Sequence, residues 1–492
     1  MKALGPLLAA LVVAAPLCAA NADASSALRT DDSAPIGTVK QRVVILSDVE
    51  NEPDDTMSFV RLFLYANQID IEAIVATTSI HMRNEIHPES VRRILDAYGR
   101  VQPNLLKHEP GYPTAKSLQA KVFAGQPSYG LAAVGDGKDS PGSAEILRLL
   151  DDADPRPLWV TAWGGPNTLA QALHHLRLTR TPADQQRLLA KLRVYTISDQ
   201  DDSGAWIRRN FPDLFYIVSP GGYGNATWSG IMEKVEGIDN TSIGNAWLAK
   251  NIQQGHGEYG ALYPDVSYGM EGDTPSFLSL IPNGLSDPEH PEWGGWGGRY
   301  ALYTPLRKDT DPDGFTGGVP VETESRPIWS NAVDTVVPYV ANDVGRAFRP
   351  LPAISSFRAS VWRWRDAFQH DFAARLAWTT QPYAKANHPP VAALAHADRL
   401  TVTSGERFTL DASGSRDPDG DSLSYRWFNY AEAGTLDAPI PAQGAENGRR
   451  THFQAPVVTK PELAHFILEV TDKGEPSLTR YRRVLVSIQP AR

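Results

Sequence analysis

Five carboxylates within eight residues, Asp48, Glu50, Glu52, Asp54 and Asp55, stand between two apolar segments of different period. On the N-terminal side, Arg42-Val43-Val44-Ile45-Leu46 is a continuous, β-branched run, the pattern of a strand buried on both faces. On the C-terminal side, Met57, Val60, Phe63 and Leu64 recur at helical spacing between Thr56 and Asn67. The acids therefore occupy a strand-to-helix turn. Residues 69–78 (IDIEAIVATT) give the next strand and complete a βαβ unit with a right-handed crossover.

The alternation continues. Helices are predicted over Pro88–Tyr98, Ser143–Leu150 and Thr168–Leu176, and strands over Leu158–Trp163, Leu192–Ile197 and Leu214–Val218. Such a pattern predicts an α/β fold with a mostly parallel, doubly wound sheet over residues 41–380. Ligands of such sheets bind beyond the carboxyl ends of the strands, and the acidic turn lies at one.

From Tyr223 to Leu351 the chain is rich in Gly, Pro, Trp and Tyr, as in Glu292-Trp293-Gly294-Gly295-Trp296-Gly297-Gly298-Arg299-Tyr300. Aromatics among glycines suit the stacking of sugar rings; core tryptophans in long loops read equally well. Residues 381–390 hold three prolines and no apolar periodicity, the composition of a linker. Residues 391–492 have the rhythm of an all-β, immunoglobulin-like sandwich, with strands at 399–402, 407–410, 423–428, 465–470 and 483–488. Within it, Ser413–Asp421 followed by Tyr425-Arg426-Trp427 resembles the polycystic-kidney-disease and cadherin-like modules of secreted bacterial enzymes. Asp417, Asp419 and Asp421 stand at alternate positions, as calcium ligands or as a solvated turn.

The first 24 residues read as a secretory signal peptide, with Lys2, an apolar core from Leu4 to Leu17 and small residues at Ala20, Ala22 and Ala24. Pro6 and Pro16 break a run already too short to span a membrane. The only cysteine, Cys18, lies inside this segment, so the mature chain has no thiol chemistry and no disulfide. A secreted or periplasmic location is expected. The net charge of -10 leaves no basic face for nucleic acid, and an uncharged or cationic ligand fits better.

Crowded carboxylates repel, and a divalent cation removes that cost. Oxygen ligands without cysteine or paired histidine indicate a hard cation, calcium before magnesium. Helix capping accounts for one or two acids, about 0.3–1 kcal/mol each, but not for five.

Asp48-x-Glu50-x-x-x-Asp54-Asp55 resembles the N-terminal signature of calcium-dependent nucleoside hydrolases, Asp-x-Asp-x-x-x-Asp-Asp. Val160–Ala170 is similar to that family's apolar strand, glycine turn and helix start, and Glu271-Gly272-Asp273-Thr274-Pro275 lies where it has a late His-Asp. More closely, Asn51–Asp55, Gly272–Phe277 and Gly295–Arg299 resemble the secreted nucleoside hydrolase-like, cellulose-binding family, together with its C-terminal β module.

The resemblance implies calcium held by Asp55, Asp273, the carbonyl of Trp163 and Glu50. It implies a base drawn from Asp48, Glu50 and Glu52, and sugar hydroxyls on Asp54. Asn51, Asn167, Trp296 and Arg299 are further candidate substrate contacts, and His81 and Asn84 follow the second strand's carboxyl end. Asp199, Asp201 and Asp202 either line the same pocket or cap a helix. Glu50 stands where the signature has aspartate, and Gly272 where it has histidine. The leading expectation is a glycoside hydrolase acting on plant-wall oligosaccharide or polysaccharide. A non-catalytic carbohydrate-binding protein and a secreted ribonucleoside N-glycosidase are the alternatives.

Overall fold

The computed structural model describes residues 35–219, 227–267, 269–306, 319, 321–337, 339–340, 349–350 and 352–491. The expected signal peptide, residues 1–24, lies outside the described residues. Ala34–Arg492 forms one compact unit.

The sheet is built from β1 (Arg42–Ser47), β2 (Asp70–Ala76), β3 (Val122–Ala124), β4 (Leu158–Ala162), β5 (Leu192–Thr196), β6 (Phe215–Val218), β7 (Tyr300–Tyr303) and β8 (Ile328–Asn331). Its order is β3-β2-β1-β4-β5-β6-β8-β7, parallel throughout except for the β7–β8 pair. The helices between the strands are α1 (Pro53–Phe63), α2 (Pro88–Leu105), α3 (Ala115–Gln119), α4 (Pro141–Asp151), α5 (Asn167–Thr179), α6 (Pro182–Lys191) and α7 (Ser203–Asn210). Alternate residues of β1 face opposite cores. Val43 and Ile45 join the layer of Phe59, Phe63 and Tyr98, whereas Val44 and Leu46 join that of Leu147, Leu169 and Leu173. Each such side chain contributes about 1.5–3 kcal/mol by leaving water, which is why this strand is apolar on both faces.

The strand order reverses direction between β1 and β4. At such a switch point the two following loops diverge to opposite sides of the sheet and leave a crevice. The loop after β1 is the acidic turn, and the loop after β4 is Trp163-Gly164-Gly165.

The C-terminal module has a four-stranded sheet, Arg399–Thr403, Thr479–Gln489, Glu462–Thr471 and Ser424–Asn429 in spatial order, and a pair, Arg407–Asp411 with Arg450–Gln454. Trp427, Phe453, Phe466 and Leu468 fill its core. Within the proline-rich segment 381–390, residues 382–385 are exposed and the second half is packed: Trp378 Nε1 donates to the carbonyl of Asn387 at 2.9 Å, and His388 is buried between Tyr383 and Trp378. The module also bonds the α/β region directly, Arg483 reaching the carbonyls of Leu285, Trp293 and Gly294 at 2.8–3.0 Å.

Candidate functional site

The acidic turn closes on itself where Asn51 N donates to the Asp48 carbonyl at 3.1 Å. Glu50 sits at φ +84°, a conformation that L side chains rarely adopt. That backbone turns its side chain out, where it accepts from Ser90 Oγ at 2.5 Å and Arg93 at 2.7 Å on α2. Glu50 is thus not gathered with the other acids, a correction to its assignment as ligand or base. Its neighbours Asp48, Asp54 and Asp55 are all buried. Asp54 and Asp55 occupy the first turn of α1 behind Pro53, so the helix N-terminus faces their charge.

Asp273 arrives from 218 residues further on, yet Asp54, Asp55 and Asp273 each offer a carboxylate oxygen within 4.8 Å of the others. Two buried interactions bring them together. Thr274 Oγ1 donates to Ser58 Oγ of α1 at 2.9 Å. Arg61, one helical turn further along α1, forks onto Glu271 at 2.5 and 2.9 Å and onto the Phe368 carbonyl at 2.9 Å. Glu271 holds φ +51° in this contact. The pair stitches the helix carrying two of the acids to the loop carrying the third.

Ser47 Oγ donates to Asp55 Oδ1, and Trp228 Nε1 donates to Asp54 Oδ2 at 2.9 Å. Asp48 and Asp273 each keep a buried Oδ2 that accepts no hydrogen bond. Burial and mutual repulsion push Asp55 and Asp273 well above the carboxylate range, Asp48 to about 7 and Glu52 to about 8; Asp54 rises to about 6, chiefly through burial. Buried oxygen donors, unsatisfied and self-repelling, are what a hard divalent cation requires, so the residues fit calcium. The carbonyl of Trp163 at the end of β4 accepts from the Gln200 amide.

Gly272 stands where the signature has a histidine, and the structure gives a reason. A Cβ at Gly272 would fall 1.9 Å from Cδ1 and Nε1 of Trp228. The Trp228 indole takes that space and bonds Asp54 itself. Gly272→Ala is expected to displace the indole and cost about 1–3 kcal/mol of stability, read as a lower thermal midpoint. An unchanged midpoint contradicts the packing described.

His81 and Asn84 are exposed on the loop after β2, at the same end of the sheet, and Asn51 is half-buried in the turn. Three other expected substrate contacts are spent inside the fold. Asn167 is fully buried and bonds Thr77, Thr78 and the Ser128 carbonyl. Trp296 is fully buried against Phe368 and Tyr481, its Nε1 on the Tyr481 hydroxyl at 3.2 Å. Arg299 pairs with Asp334 at 2.6 Å. Trp296 bonds the β module directly and Arg299 only through Asp334, which accepts from Tyr430 Oη at 2.5 Å; neither side chain presents itself to a ligand.

Asp201, in the loop between β5 and α7, is fully buried; Ser203 bonds its Oδ1, while its Oδ2 is unpartnered against Gly165. Burial raises it to about 7. The paired glycines allow this approach: a Cβ at Gly164 would meet Asp48 Oδ1 at 2.7 Å and one at Gly165 would meet Asp201 Oδ2 at 2.3 Å. Sequence reasoning left Asp201 between pocket and cap, and it had no signal at all for Trp228.

A parallel sheet with buried acids at its switch point and a β module behind it defines a nucleoside hydrolase-like protein. Residues 42–300 match the family described as cellulose-binding Sde182, nucleoside hydrolase-like domain, and residues 407–488 match the C-terminal domain of cellulose-binding protein Sde0182. The chain belongs to this family. A nucleoside hydrolase-related protein from Saccharophagus degradans, associated with carbohydrate metabolism, is 34% identical over 92% of this chain and 100% of its own, with a TM-score of 0.75. The type III effector XopQ, solved with adenosine diphosphate ribose, is 12% identical over 60% of this chain and 89% of its own, and its TM-score of 0.23 carries no argument. No curated protein matches the chain.

Proposed function

We propose that the protein is a secreted glycoside hydrolase that acts on plant-wall-type oligosaccharide or polysaccharide with calcium held by Asp54, Asp55 and Asp273. The observation that carries this reading is the buried triad, with oxygens within 4.8 Å, at the β1/β4 switch point. Calcium, when bound, supplies positive charge that orders sugar hydroxyls and makes nearby water more acidic. Asp54, fixed by Trp228, orients hydroxyls of the ring. Asp48 or Glu52, ionised beside the cation, takes a proton from water as the water oxygen attacks the anomeric carbon; the bond from that carbon to the leaving oxygen breaks, and the leaving oxygen is protonated from solvent. The Trp228 indole excludes water from one side of Asp54, and Gly272 leaves no imidazole there to protonate a departing base. That favours an oxygen leaving group over a nucleobase.

The test is a panel of plant-wall oligosaccharides and ribonucleosides, read as reducing sugar. The expected result is release from oligosaccharides that stops with a chelator. Release only from nucleosides supports the N-glycosidase instead. Tight glycan binding without product supports a non-catalytic cellulose- or carbohydrate-binding protein, the reading that the family description favours.

A further inference from the structure

Three buried hydroxyls run from the sheet to the turn that carries Trp228, outside the acidic cluster. Tyr195 on β5, Tyr300 on β7 and Thr227 are each no more than 3% exposed. Tyr195 Oη lies 2.7 Å from Thr227 Oγ1 and 2.6 Å from Tyr300 Oη, and Tyr300 Oη donates to the Gly297 carbonyl at 3.0 Å. A hydroxyl has one proton to give. Tyr300 spends its proton on that carbonyl, so Tyr195 donates to Tyr300 and Thr227 donates to Tyr195. Burial pushes the Tyr195 phenol up to about 12, so its proton is in place at neutral pH. The bonds run one way, from Thr227 into the sheet.

Phenylalanine and valine would fill the same core without burying three polar atoms, whose desolvation is offset only by these bonds. What the hydroxyls add is a fixed geometry. The residue after Thr227 is Trp228, whose Nε1 donates to Asp54 Oδ2 at 2.9 Å while the Asp55 N–H donates to Asp54 Oδ1 at 3.1 Å. Backbone sets the place of the indole as well, since a Cβ at Gly269 would fall 2.5 Å from its Cζ2 and one at Gly272 1.9 Å from its Cδ1. The indole therefore rests on two glycines and on the turn 227–229, and Thr227 ties that turn to the sheet. We propose that Tyr195 and Thr227 are positioning residues for Asp54, acting through the Trp228 indole to fix the direction in which that carboxylate meets a sugar hydroxyl. Their part in sugar binding rests on Asp54 being the sugar-facing acid of the hydrolase; their placing of the indole does not.

The experiment is fluorine NMR of the full-length chain carrying fluorotryptophan at its 12 tryptophans, with the Trp228 resonance assigned by its loss in Trp228→Phe. Tyr195→Phe removes the hydroxyl and keeps the ring edge-on to Tyr300, 5.6 Å between centroids, so the core stays filled. Thr227→Val is the independent second variant, and circular dichroism checks that each folds. The Trp228 resonance is expected to shift or broaden in both, while that of Trp427, in the core of the β module, stays. Thr227→Ser, which restores the hydroxyl, is expected to return the resonance to its wild-type position. A merely structural hydroxyl would lower the thermal midpoint without moving that one resonance. On the oligosaccharides that the wild type cleaves, KM is expected to rise about threefold to tenfold in Tyr195→Phe, the range for one lost hydrogen bond, with kcat within about twofold. An unmoved Trp228 resonance in both folded variants overturns the proposal, as does a Thr227→Ser resonance no nearer the wild type than that of Thr227→Val. The hydrolase reading fails separately. In that case no substrate is cleaved, yet the Trp228 resonance still moves in Tyr195→Phe.

Discussion

Arg61→Met is expected to destabilise the fold by about 3–5 kcal/mol, measured by denaturant unfolding. The substitution nearly conserves volume and keeps the contact with Phe372, whose ring lies 4.0 Å from the guanidinium carbon. What it removes is the partner of a fully buried carboxylate. Glu271 would be left with the Tyr263 hydroxyl at 2.6 Å and a backbone held at φ +51°. The loop carrying Asp273 then keeps the Thr274–Ser58 bond but loses its ion pair to α1, and cation affinity is expected to fall with stability. Replacing both partners, Arg61→Met with Glu271→Leu, is expected to recover much of the stability, because the cost is that of an unpaired charge and not the loss of a net attraction. A single variant as stable as the wild type contradicts the account of how the triad is assembled.

Asp55→Asn is the second large effect. Asp55 is buried, with Oδ1 held by Ser47 and a carboxylate oxygen within 4.8 Å of one from Asp54 and one from Asp273. Asparagine keeps the hydrogen bond and the shape while removing the charge. The expected result is loss of calcium at the acidic turn and a fall in sugar release of about 10²–10³-fold, the range seen when one electrostatic stabiliser is removed. Folding without calcium is expected to be no worse, and even better, since one of the mutually repelling carboxylates is gone. That opposite movement of stability and activity distinguishes a binding acid from a merely structural one.

Much of the fold was legible because its signals are local. The β-branched run Arg42–Leu46, the helical spacing from Met57 to Leu64 and the strand at 70–76 gave the βαβ unit directly, and α2 differs only in continuing past Tyr98 to Leu105. The strand order was not written locally. It follows from which strand pairs with β1, a contact between residues more than a hundred positions apart. β7 and β8 lie within the stretch rich in Gly, Pro and Trp, where no alternation marks them.

The site divides along the same line. Asp54, Asp55 and Asp273 were carried by a resemblance in sequence, and the structure brings them together. Glu50 matched the same signature, but the positive φ that closes the turn directs it to Arg93 instead. Trp296 reads in sequence as a sugar contact because an aromatic among glycines looks the same whether it stacks on a ligand or packs a module interface. Its partner Tyr481 lies 185 residues on, while Arg299 is taken by Asp334, 35 residues on, and only the fold shows either pairing. Trp228 and Arg61 carried no signal, since a lone Trp in a loop and a lone Arg on an apolar helix are understood only once their partners are in view.

The central claim is that the buried acids at the switch point hold a cation. Calcium titrated into the chelated and desalted full-length chain, and into folded Asp55→Asn, tests it most directly. One equivalent bound by the wild type and absent in Asp55→Asn is the result predicted here. No binding heat in the wild type, or the same stoichiometry and affinity in Asp55→Asn, would contradict it.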